Sequence, residues 1–129
     1  MEEKTSRSGP VRRYGDLLVY KQAYRLALDV SHLSKGFPMH EQFELGKQIR
    51  RCSRSIPANI VEGWAKRASA LEFKRHLQIA IGEIEETRFW LDLARDGGCA
   101  TRAKSDSLAA EYAKLGMMVR NLWKEWRKL

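Results

Sequence analysis

Apolar residues recur at steps of three and four along nearly the whole chain, and no stretch alternates as a half-buried strand would. The pattern falls into four helical segments. From about Asp16 to Lys35, Val19, Ala23, Leu26, Val30 and Leu33 form one stripe. Leu17, Tyr20, Tyr24 and Leu28 lie beside it, a face wider than a single neighbour would cover. Gly36 and Pro38 end that segment and open the next. The second runs from about Met39 to Ala65, with Leu45, Ile49, Cys52, Ile56 and Ile60 as its stripe and an expected kink at Pro57. Ser69-Ala-Leu-Glu72 has the form of a capping box, which starts the third helix at about Ala70. Its seam is Phe73, Leu77, Ala80, Ile84, Thr87, Leu91 and Ala94, closed by Gly97-Gly98. The fourth begins near Thr101 or Arg102 and repeats the rhythm at Leu108, Tyr112, Leu115, Val119, Leu122, Trp126 and Leu129. Heptad seams joined by short loops predict an all-α, antiparallel up-down-up-down four-helix bundle over residues 14–129. A chain of 129 residues has room for one such core. Residues 1–13 lack a hydrophobic stretch, so they do not read as a secretory signal. They read as a disordered basic arm carrying Lys4, Arg7, Arg12 and Arg13.

Filling the seams leaves Trp64, Phe89, Trp90, Met117, Met118 and Trp123 over. Either several of these widen the core, or they form an apolar contact surface for self-association.

The formal charge of +8 favours an acidic partner and is unevenly placed. Residues 36–68 hold six bases against three acids, residues 69–97 four against six, and the chain after them seven against three. Lys47, Arg50, Arg51 and Arg54 share one flank of the second helix. Lys66, Arg67, Lys74 and Arg75 flank the turn into the third, and Arg120, Lys124 and Arg127, with Lys128 beside them, line the fourth. One surface combining these groups would make a phosphate-binding track for RNA or DNA. Alternatively they are solvated flanks, or pair with Glu83, Glu85, Glu86 and Asp92. An internal pair between Glu62 and one of Arg50, Arg51 and Arg54 is open as well.

Catalytic chemistry has no foothold. His32, His40 and His76 show no metal-ligand spacing and no paired Glu-x-x-His occurs, so neither a metal nor another cofactor is expected. Glu72 and His76, four apart, read as a surface pair, and Glu83, Glu86 and Asp92 lack an acid–base partner. The chain is not expected to be an enzyme. Cys52 lies on an apolar stripe and Cys99 far from it, which fits reduced thiols in a cytoplasmic protein. No apolar run is long enough to span a bilayer.

The most specific block is Gln48-Ile-Arg-Arg-Cys-Ser-Arg-Ser-Ile-Pro-Ala-Asn-Ile-Val-Glu-Gly63, in which Asn59 and Glu62 need partners if buried. With Tyr14-Gly-Asp-Leu-Leu-Val-Tyr20, Phe37-Pro38, Glu41, Leu45, Glu72-Phe73 and Ala80-Ile-Gly82 leading to Glu86, it resembles a bacterial four-helix bundle family. That family includes the proteins encoded in intervening sequences of large-subunit ribosomal RNA genes. Accessory variability determinant (Avd) proteins of diversity-generating retroelements are relatives within the fold. The resemblance spans about Tyr14 to Leu122. It implies that Pro57, Asn59, Glu62, Gly63, Gly82 and Glu86 are architectural rather than catalytic, and that bundles assemble as pentamers. The serine that usually follows the Gly82 glycine is Glu83 here. Thr87-Arg-Phe-Trp-Leu91 looks closer to the retroelement proteins, which implies a reverse transcriptase as partner. The expected function is a non-catalytic, homo-oligomeric nucleic-acid-binding accessory protein. An interaction module docking an acidic protein is the alternative. A helix-turn-helix regulator fits four long seams poorly.

Overall fold

A computed structural model of the protein describes residues 10–126. Lys4 and Arg7 of the basic arm, and Arg127 and Lys128 of the fourth helix, lie outside the described residues. Within them every regular element is helical. A 3-10 turn at Tyr14–Asp16 leads into α1 (Leu18–Ser34), followed by a single turn α2 (Met39–Gln42) and then α3 (Leu45–Ala65), α4 (Ala70–Asp96) and α5 (Arg102–Glu125).

The four long helices stand at the corners of a square, with α3 against α1 and α4, and α5 against α4 and α1. Bonds between neighbours pair rising numbers on one helix with falling numbers on the next. Cys52 and Asn59 of α3 meet Thr87 and His76 of α4, and Arg95 and Glu85 of α4 meet Asp106 and Arg120 of α5. The bundle is therefore antiparallel and up-down-up-down, as the seams require.

The α4 seam is buried throughout its length, as are Val19, Ala23, Leu26 and Val30 of α1. The α3 stripe and the α5 residues Tyr112, Leu115, Val119 and Leu122 complete the core. Polar groups within the seams differ: the buried Tyr112 hydroxyl has no partner among the described residues, whereas Thr87 is bonded. The Thr87 hydroxyl donates to the Glu83 carbonyl at 2.8 Å and approaches the Cys52 sulfur at 3.1 Å. Both cysteines are free thiols, Cys52 buried and Cys99 partly exposed. The second stripe of α1 divides: Leu17 is buried, whereas Tyr24 and Leu28 are more than half exposed.

Three local features differ from, or sharpen, the sequence expectation. The first helix starts two residues later than Asp16, because the Asp16 carboxylate accepts from the Arg12 and Arg13 amides and holds a 3-10 turn there. The helix expected from Met39 to Ala65 is broken at Phe43–Glu44, where Glu44 takes φ −103° and ψ −90°. Side chains stabilise the break: the Gln42 amide donates to the carbonyls of Ser34 and Phe37, and the Glu41 carboxylate accepts from the Leu45 amide. From Leu45 the helix continues unbroken through buried Pro57, which withholds one backbone donor. The expected caps form, with Ser69 accepting from the Glu72 amide and Thr101 from the Lys104 amide. Gly98 follows α4 at φ +78°, a conformation open to glycine at little cost.

Candidate nucleic-acid interface

The four bases on the α3 flank do not act as one group. Arg50 turns toward α1 and α2, donating to the Ser34 hydroxyl at 2.9 Å and the Gln42 carbonyl at 2.8 Å, so it ties the break before α3 to the end of α1. Arg51 turns the other way. Its guanidinium binds the Glu86 carboxylate and lies 3.8 Å from Glu83. The open Glu62 pairing is not formed: Glu62 is exposed, and the internal pair is Arg51 with Glu86 on α4. Lys47 and Arg54 are exposed and have no carboxylate in ion-pair range among the described residues.

At the end of the bundle where α3 turns into α4, the structure does gather bases. Lys66, Arg67, Lys74 and Arg75 surround that turn. Arg67 lies over the Trp64 ring at 4.2 Å and donates to the Trp64 carbonyl. The Lys74 ammonium sits 4.1 Å from the Trp123 ring centre, which draws α5 into the same surface, and Lys124, the next residue in the chain, is exposed. Arg75 pairs with Glu72 at 3.1 Å, and that contact is the first cause holding the Glu72 carboxyl below its ordinary range. Glu72 is the one carboxylate in ion-pair range of these bases among the described residues. Arg120 lies farther along α5, 3.8 Å from Glu85.

Beneath this basic end lies a buried polar group that the sequence pattern misplaces. His76, read there as half of a surface pair with Glu72, is 4% exposed. It follows Phe73 by three residues and precedes Ala80 by four, and that spacing marks it as a seam position. The Asn59 amide nitrogen donates to the Ser55 carbonyl at 2.9 Å and approaches the Ser55 hydroxyl at 3.0 Å. Its oxygen therefore faces His76 Nδ1, at 3.0 Å, and that ring nitrogen carries the hydrogen. Nε2 is left as an acceptor, and both neighbours facing it are donors: Lys66 Nζ at 3.4 Å and Arg75 Nη2 at 3.3 Å. Gly63 supplies the clearance. A Cβ there would stand 2.9 Å from His76 Cβ and 3.0 Å from Phe73 Cδ1.

Of the other expected architectural residues, Glu86 is fastened by Arg51 and by the Trp90 indole nitrogen at 3.0 Å. Gly82 is different: it is exposed in mid-helix with nothing within 4 Å of an added Cβ. Glu83, in the place of the family serine, has its carboxyl pushed up by burial first and then by the Glu86 charge, against the opposing pull of Arg51.

The surplus aromatic and apolar residues divide. Trp64 is buried, where it packs with Phe73 and Trp126, while Trp90, Met118 and Trp123 rest partly buried against the core. Phe89 and Met117 stay exposed, and with Leu71 and Leu93 the former lines the outward side of α4. Among the described residues no three or more His, Cys, Asp or Glu side chains cluster as metal ligands would, and no helix is long and apolar enough to cross a membrane.

The model of a family described as 23S rRNA-intervening sequence protein matches residues 15–121. The chain is also similar to a crystal structure from Bacteroides thetaiotaomicron, described as a protein of unknown function from the S23 ribosomal protein family. The two share 28% identity over 83% of this chain and 96% of that one, with a TM-score of 0.76. A comparison with curated proteins gives no match.

Proposed function

The chain belongs to the 23S rRNA-intervening sequence protein family, and we propose that it works as a non-catalytic, homo-oligomeric nucleic-acid-binding accessory protein. The observation that carries this reading is the basic end of the bundle, where, of Lys66, Arg67, Lys74, Arg75 and Lys124, only Arg75 has a carboxylate in ion-pair range among the described residues, Glu72. Cations that lack protein counter-charges hold mobile ions, and releasing those ions to a phosphate backbone drives binding. RNA is the first ligand to test, given the family's name. A cytoplasmic site of action goes with that ligand. Catalysis is not needed, and a reverse transcriptase would be served by template held on the oligomer.

Fluorescence anisotropy of labelled single-stranded RNA, single-stranded DNA and duplex, at about 50 mM and about 200 mM salt, tests the reading. Several phosphate contacts predict an affinity loss on the order of a thousandfold between those salts. Flat or absent binding overturns it and leaves the alternative, an interaction module for an acidic protein.

Self-association is supported by the outward line of α4, where Leu71, Phe89 and Leu93 are 78%, 54% and 46% exposed and Gly82 lets another backbone approach closely. The pentamer and the bend at Pro57 belong to the same proposal. Pro57→Ala is expected to change the assembled mass, read by light scattering, more than the helix content read by circular dichroism. An unchanged mass counts against the bend.

A further inference from the structure

His76 is a buried imidazole whose outward-facing ring nitrogen meets two cations directly, with the Glu72 carboxylate beyond, bonded to Arg75. Asn59 fixes the hydrogen on Nδ1, so the Nε2 lone pair is the acceptor for Lys66 and Arg75. Nε2, 3.4 Å from Lys66 Nζ and 3.3 Å from Arg75 Nη2, is the one ring position at which a second hydrogen could be added. An anion placed between those cations reverses the sign of the local field. Its oxygen would accept from Lys66 and Arg75, release them from Nε2, and favour a proton on Nε2 that donates to the same oxygen. The charged groups facing the cluster are few. α4 supplies Glu72, already engaged by Arg75, and the turn supplies Arg67 over Trp64. α3 supplies Glu62, exposed one turn before Lys66. α5 brings Lys124 and Glu125 to this end, neither in ion-pair range of another described residue. Asp16 of the N-terminal turn is taken up by the Arg12 and Arg13 amides. Arginine and lysine with an imidazole beneath them suit the tetrahedral oxygens of a phosphate.

We infer that Lys66, Arg75 and His76 form a phosphate-binding site of the nucleic-acid surface, and that occupying it takes a proton up onto His76. This rests on the nucleic-acid reading above and adds to it the position of one phosphate and a pH dependence. It also gives the Asn59–Gly63 block a task, since Asn59 sets the tautomer and Gly63 lets the ring sit against α3.

The test is a titration of RNA lacking terminal phosphates, from pH 8 to pH 6 at constant ionic strength. Phosphodiesters do not titrate there, so a pH slope belongs to the protein. Uptake of one proton predicts a gain approaching about tenfold in affinity per unit fall in pH wherever the bound site holds that proton and the free site does not. His76→Gln should flatten that slope. Exposed Lys66→Gln and Arg75→Gln should weaken binding by about three- to tenfold each and flatten it too. Lys21→Gln, with the same loss of charge on α1, should keep the slope. Nitrogen chemical shifts of the His76 ring, recorded on the intact protein, keep the test independent of any folding defect in His76→Gln. RNA should convert the Nδ1-H tautomer to imidazolium. RNA bound with no pH slope and an unchanged tautomer overturns the site while the nucleic-acid reading stands. If no RNA binds at all, sulfate, a non-titrating stand-in for phosphate, becomes the probe. A His76 shift with sulfate supports an anion site apart from nucleic acid, and none overturns it.

Discussion

At the scale of single residues, two glycines of one sequence motif have opposite physical settings. Gly63 faces His76 and Phe73 across less room than a methyl group needs, so Gly63→Ala forces α3 from α4 and should cost about 1–3 kcal/mol in urea unfolding. Gly82 touches nothing, so Gly82→Ala should gain about 0.5–1 kcal/mol from the better helix former. Equal effects at the two sites would contradict the close approach of α3 and α4. Glu83 gives a pH signature. Its carboxyl is raised in the folded state, so the charged form is disfavoured there relative to the unfolded chain. The destabilisation is absent below the unfolded carboxyl's ordinary value of 4.5 and is fully present above the folded one. Glu83→Gln should therefore stabilise the protein near pH 7 and make no gain near pH 3. A gain of the same size at both pH values would assign the effect to packing instead.

Between elements, the arginines of α3 separate into structural and free groups. Arg50 joins the end of α1, the α2 turn and α3 through Ser34 and Gln42, while among the described residues Arg54 reaches only the Ser31 hydroxyl, at 3.5 Å. Arg50→Ala leaves the part-buried Gln42 carbonyl without its donor and should lower stability by about 1–3 kcal/mol. Arg54→Ala should change stability by less than about 0.5 kcal/mol. Thermal melts of the two variants decide the matter, and the reverse order would remove Arg50 from its bridging role. The same contacts explain why the break at Phe43–Glu44 escapes the periodic pattern. Leu45 continues the apolar rhythm across it, and the bonds that end α2 come from side chains of Glu41 and Gln42.

For the whole molecule, the proposed self-association turns on which apolar surface would meet another copy. Trp123 carries Lys74 on its ring and rests against the core, whereas Phe89 points outward. Trp123→Ala should lower the unfolding free energy by about 2 kcal/mol and leave the particle mass unchanged. Phe89→Ser should lower the mass by light scattering and leave the monomer's helix content intact. A mass change in Trp123→Ala alone would move the contact from α4 to α5.

The sequence by itself determined the four helices and their core faces, because a seam repeating at three and four stays on one side of a helix whatever packs against it. Three of the four helix starts and the Gly97-Gly98 stop were legible to within two residues, since caps and turns are local chemistry. The fate of the charged groups was not. Arg50, Arg51 and Arg54 stand within one turn of one another, yet each meets a different partner, and helical spacing alone carries no information about which neighbour a long side chain reaches. His76 shows both sides: its seam spacing between Phe73 and Ala80 stands in the sequence, whereas the room for its ring comes from Gly63 and its tautomer from Asn59, both on another helix. Only the tertiary structure decided which polar groups are buried and paired, because those energies depend on distances between segments far apart in the chain.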